Sequence, residues 1–187
     1  EPADIFFHDL QDLYRENLSS RDYRTFSSLC GLVDVYNAAA FWRGKPIDLR
    51  GNFSLRELEE GDLDLPEYIT AFLDRYPEGE RLIHHRELVV AFFQEEIASA
   101  SGFLRDYLSF ERDWRLVMVG IRAKVLGRDV AEELQDEGVD PMDSLVQEIL
   151  QQKEAKEFEP PKRYEGLKVI YEDHKEDPLG LAKGLLS

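Results

Sequence analysis

The side chains best suited to metal ligation or nucleophilic attack in this sequence are four histidines and one cysteine, and their spacing limits what they can do. A helical di-iron site places a glutamate three residues before a histidine, so that both ligands project into one bundle interior. The positions three residues ahead of the four histidines hold Ile5, Arg81, Leu82 and Tyr171, so that pattern does not occur. His84 and His85 are adjacent, and adjacent side chains on a helix diverge by about 100°. Asp62-Leu63-Asp64 alternates like a calcium loop, but Pro66 follows closely and the glycine that such a loop needs for its turn is missing. Cys30 sits among Leu29, Leu32 and Val33, the setting of a small core residue. Arg43-Gly44-Lys45-Pro46 and Lys183-Gly184 contain Gly-Lys pairs without the glycine run whose amides wrap a phosphate. No serine occupies a Gly-x-Ser-x-Gly elbow. Carboxylates are so abundant that close pairs arise by chance. No catalytic residue, cofactor-binding residue or metal ligand is assigned, and no cofactor is expected.

Composition narrows the partners. Acidic residues number 39 and basic residues 23, a formal charge of −16 over 187 residues. Such a surface repels phosphate backbones and anionic headgroups, so nucleic-acid binding is not expected. Hydrophobic residues at 43% are too many for a wholly disordered acidic chain. Apolar runs such as Leu88 to Phe93 and Leu116 to Val119 fall far short of the ~20 residues that span a bilayer. No signal peptide opens the sequence, and a lone cysteine suits a reducing compartment. The expectation is a cytoplasmic protein with no direct membrane insertion.

The elements that must position these side chains read as consecutive helices. Ile5, Phe6, Leu10, Leu13 and Leu18 fall on one side of a first helix, and Tyr23, Phe26, Leu29, Val33, Tyr36 and Ala40 form the stripe of a second. Gly44 and Pro46 end it in a loop through Asn52. Ser54 and Glu57 have the spacing of a reciprocal capping box, with Gly61 closing a short helix. Further helices are expected over 66–76, 80–101, 103–126, 129–137 and 141–152. The hydrophilic run 151–163, with Pro160 and Pro161, reads as a hinge or linker. Leu167, Val169 and Ile170 suit a short strand or a helical turn equally, and Asp177-Pro178 opens a last helix. With at most one strand, the fold class is all-α: an irregular helical bundle, a helical domain over 1–158, and a linker with the start of a further helical part over 159–187.

One segment stands apart in charge. Between Ser101 and Arg128 six basic residues face three acidic ones, +3, which leaves −19 for the remainder. Tyr107, Phe110, Trp114, Val117, Met118, Ile121 and Val125 make a broad apolar face that Leu108, Val119 and Leu126 extend. A helix apolar around most of its circumference belongs at the centre of a bundle. Glu111 precedes Arg115 by four residues, the favourable order for a same-face ion pair, and Arg122 shares Arg115's edge. Glu111, Arg115 and Arg122 are therefore expected in structural ion pairs, and Arg122→Ala is expected to damage folding. Arg105, Arg112 and Arg128 are expected to offer the exposed contact surface for a partner.

The same segment carries a resemblance. Phe110-Glu111-Arg112-Asp113-Trp114-Arg115, continued by Leu116 to Ile121 and by Arg122-Ala123-Lys124-Val125-Leu126-Gly127, resembles a helix of the C subunit of A/V-type ATPases, called subunit d in eukaryotes. Asn17 to Asp22, the loop Gly44 to Ser54 and Leu65-Pro66-Glu67-Tyr68 are similar to an uncharacterised bacterial family encoded beside V-type ATPase genes. The resemblance implies an all-helical, non-catalytic subunit or accessory factor that couples the rotor shaft to the proteolipid ring. Its implied partners are the central-stalk subunits and the proteolipid ring, which would hold it at the inner face of the plasma membrane. Two other readings remain open: a small helical enzyme using dispersed carboxylates with His84 or His85, and a helical adaptor unrelated to ATPases.

Overall fold

Gly, Pro and the small polar capping residues divide the chain into helices in the computed structural model, which describes residues 7–54, 57, 65–175 and 177. Nine α-helices, one 3₁₀ turn and no strand occur among the described residues, so the fold is all-α. The chain forms two compact units that divide between Leu108 and Ser109.

The first unit holds α1 (Phe7–Asn17), α2 (Ser20–Trp42), α3 (Glu67–Arg75), α4 (Glu78–Arg81), α5 (His85–Ser99) and the first residues of α6 (Phe103–Val125). The Ser19 side chain caps α2 by accepting the Asp22 amide at 3.2 Å. Ser54 and Glu57 make the reciprocal capping bonds that their spacing predicts, at 2.7 and 3.3 Å. The short helix expected after them, the Asp62-Leu63-Asp64 alternation and the helix expected after Asp177 lie outside the described residues. The core is aromatic. Phe92, wholly buried, meets the Tyr68 and Phe93 rings edge-on, and Trp42 stacks on Phe72 at 5.7 Å.

Two expectations fail in this unit. The predicted α2 stripe is rotated, because the buried positions include Ser28, Asp34 and Asn37 while Tyr36 is exposed. A hydrophobicity pattern cannot find a buried face made partly of polar residues. The single helix expected over 80–101 breaks at Leu82, Ile83 and His84, leaving Ile83 exposed. His84 is there stacked on the Tyr76 ring at 4.1 Å, a tertiary contact that periodicity does not encode.

The second unit contains the rest of α6, α7 (Val130–Gln135), α8 (Ser144–Gln151), a 3₁₀ turn (Lys162–Tyr164) and α9 (Glu165–His174). Leu116 to Ile121 are six consecutive buried residues, so α6 is enclosed on all sides there, as its apolar circumference predicts. Its ends differ: Phe103, Phe110 and Val125 are exposed. Gly127, at φ +66°, takes the left-handed cap. Its amide bonds the Lys124 carbonyl and the Arg128 amide bonds the Ala123 carbonyl, which satisfies two carbonyls at the helix end. Asp129 caps α7 and Asp143 caps α8 through backbone amides. The run that reads as a linker buries Phe158 and Pro160. Phe158 lies so close to Gly120 that a Cβ there would come within 2.7 Å of its ring. The ambiguous stretch 167–170 is helical, within α9.

Candidate functional site

The arginines of α6 are the candidate residues, and most of them are engaged within the fold. Arg115 is half-buried and its Nε donates to Glu137 at 3.2 Å, with the Glu137 side chain 3% exposed. Glu111 accepts the Trp114 indole N–H at 2.9 Å. Arg115 thus reaches a carboxylate 22 residues away in sequence, where helical spacing points to one four residues away. Arg122 corrects the expectation made of it. It is exposed, and its Nε donates to the Met118 carbonyl one turn earlier on its own helix.

Of the three arginines expected on a contact surface, Arg112 belongs instead to an internal network. It reaches Asp113 at 2.8 Å and Asp143 at 3.0 Å, while the Tyr164 hydroxyl donates to Asp113 at 3.1 Å. Burial, with the Asp113 charge beside it, holds the Tyr164 hydroxyl above its ordinary pKa. Arg128 pairs with Glu133 at 3.0 Å. Arg105 is exposed. Asp143 therefore caps α8 with one oxygen and binds Arg112 with the other, a double role that its position just before an apolar run half discloses.

His84 and His85 have structural employment. His85 Nε2 lies 2.8 Å from the Val35 carbonyl and so carries the proton in that bond. His84 Nδ1 lies 3.0 Å from Glu87, which also accepts the Tyr76 hydroxyl at 2.6 Å and faces Arg75 at 3.4 Å. The Tyr76 hydroxyl first, then His84 and Arg75, hold the Glu87 carboxyl below its usual range. A cleft of about 780 Å³ in the first unit is lined by other groups, among them Arg15, Tyr23, Ser28, Tyr68 and Glu96. Burial pushes the Cys30 thiol up to about 11, which keeps it protonated and unreactive.

Sequence reasoning missed the polar clasp on α2. Asp34 is 1% exposed, and accepts Asn52 Nδ2 at 2.7 Å and the Phe53 amide at 3.2 Å. Asn37 exchanges two hydrogen bonds with the Asp48 backbone, at 2.7 and 2.8 Å. Together they hold the loop 43–54 against α2. Burial pushes the Asp34 carboxyl up to about 6 from 3.8, so between those values the folded state binds more protons than the unfolded state. Stability from this group is present below about pH 4 and is lost as pH rises through about 6, an effect of up to about 3 kcal/mol. The difference in urea midpoint between the native chain and Asp34→Asn therefore changes across this range; a constant difference would contradict the assignment.

These features define a class: a two-unit, all-helical protein whose buried charges are spent on holding helices and loops together. The chain belongs to the DUF2764 family of proteins of unknown function, which it matches over residues 1–187. It is similar to an uncharacterized protein of Chlamydia muridarum, 30% identical over 92% of this chain and 68% of that protein. An uncharacterized protein of Chlamydia pneumoniae is 33% identical over 89% of this chain and 65% of its own length. One of Chlamydia trachomatis serovar D is 31% identical over 90% and 66%. The chain spans about two thirds of the length of these relatives. No solved structure matches it. Among the described residues no helix is long and apolar enough to cross a membrane, and no group of three or more His, Cys, Asp and Glu is placed to hold a metal ion.

Proposed function

We propose that this protein is a non-catalytic helical accessory subunit of a bacterial V-type ATPase that works by docking to the central stalk, as the C subunit does between rotor shaft and proteolipid ring. The observation that carries the reading is the segment 110–127, most of it in α6, whose sequence resembles a helix of that subunit and whose middle is the enclosed centre of the second unit. A helix whose middle is buried on all sides and which is pinned by Arg112 and Arg115 is a rigid strut, which suits transmission of torque better than chemistry. The histidines that an enzyme of this composition would use are committed to Val35 and Glu87. On this reading the protein sits in the cytoplasm at the inner face of the membrane, held there by its partner complex. Pull-down of purified central-stalk subunits and proteolipid ring by the full-length protein tests it. Stalk subunits are expected to be retained; retention of none would overturn the proposal.

A further inference from the structure

The lysines of this chain are unevenly placed. The sequence has eight, and four of them, Lys124, Lys156, Lys168 and Lys175, line one groove of about 400 Å³ in the second unit. They come from α6, from the segment before Phe158, from α9 and from the residue that follows α9, so the fold gathers them and no basic run in the sequence does. Glu157 and Glu172 are the acids lining the groove and Glu159 pairs with Lys168 at its edge, which makes the rim +1 while the rest of the chain carries −17. The floor is apolar: Ile121 and Phe158 are buried, Tyr171 is half-buried, and Val125 is 60% exposed. Two rim lysines are held in place. Lys168 donates to Glu159 at 2.7 Å, and the Lys124 ammonium donates to the Lys153 carbonyl. Lys156 and Lys175 are exposed.

We propose that this groove docks an acidic amphipathic helix of a protein partner, with one large apolar side chain seated on the floor and flanking carboxylates against the lysines. Helix recognition of this kind needs an apolar seat for an anchor and complementary charge at the rim, and both are present. The volume takes an anchor side chain with its neighbours and is far smaller than a whole interface. Charge selects the occupant. An extended polyanion or an anionic bilayer would also face the strongly acidic remainder and be repelled, whereas a short acidic helix meets the basic rim alone. The inference rests on the docking reading above, but not on the V-type ATPase as the source of the helix.

Fluorescence anisotropy on the full-length protein tests it. The probe is a labelled synthetic helical peptide with leucines along one face and glutamates flanking them; its counterpart has lysines in place of the glutamates. The glutamate peptide is expected to bind, to weaken as salt is raised, and to lose affinity roughly tenfold when Lys156→Glu and Lys175→Glu are combined. Val125→Asp, at an exposed position, weakens binding through the floor, and Lys45→Glu in the first unit leaves it unchanged. Absence of binding, equal binding by the double variant, equal binding of the lysine peptide, or preferential binding of phosphatidylserine vesicles would each overturn the groove assignment. Peptide binding without retention of stalk subunits would overturn the ATPase reading alone.

Discussion

Arg115→Ala lowers the stability of the second unit by about 3 kcal/mol, while Arg122→Ala, two turns further along α6, leaves it within about 0.5 kcal/mol. Both arginines lie on one helix, but Glu137 beneath Arg115 is 4% exposed. Removing the guanidinium leaves a carboxylate deprived of its ion pair in a place where water cannot replace it. Arg122 is exposed and reaches a backbone carbonyl that its own helix already supplies with donors. Combining Arg115→Met with Glu137→Leu recovers most of the loss, because a buried pair replaced by apolar groups removes both the attraction and the desolvation cost. The two tryptophans make the measurement local: Trp42 reports on the first unit and Trp114 on the second. In a Trp42→Phe background, urea unfolding followed by Trp114 fluorescence shows the shift. Equal losses for the Arg115 and Arg122 variants would contradict the assignment of the buried pair.

Gly51→Ala costs the first unit about 3 kcal/mol, against about 1 kcal/mol for Gly44→Ala. Gly51 is buried against the clasp, and a Cβ there would stand 2.3 Å from an Asp34 carboxylate oxygen and 2.8 Å from Asn37 Nδ2. Either the carboxylate leaves Asn52 and Phe53 or the loop lifts from α2, and in both cases buried polar groups lose partners at about 1–3 kcal/mol each. Gly44 has open space around it and a φ of +63°, so alanine meets only the left-handed backbone penalty there. Gly79, in open space within α4 and without that φ, is the control, where alanine costs nothing. Trp42 fluorescence in a Trp114→Phe background reads the three variants, and a Gly51→Ala midpoint equal to that of Gly79→Ala would refute the clasp.

The backbone plan was legible because glycines, prolines and capping residues act locally. Gly127 ends α6, the Ser54–Glu57 box forms, and α6 begins at Phe103 and ends one residue before its expected limit. What stayed hidden depends on distant partners. Arg115 meets Glu137 because α7 brings it there, and helical spacing alone favours Glu111. Asp34 and Asn37 look like polar faults in an apolar run until the loop 43–54 folds over them. Phe158 lies in a stretch whose prolines and charges suggest solvent, and its burial follows from the space that Gly120 leaves open. The lysine groove was invisible for the same reason, since its rim is drawn from residues 124 to 175.

The most direct test of the docking account is affinity isolation of the tagged full-length protein from a bacterium that encodes both this family and a V-type ATPase. Central-stalk subunits are predicted to co-purify with it, and tagging the ATPase is predicted to bring this protein down in turn. An intact ATPase isolated without it, together with a tagged protein that retains no stalk subunit, would contradict the account.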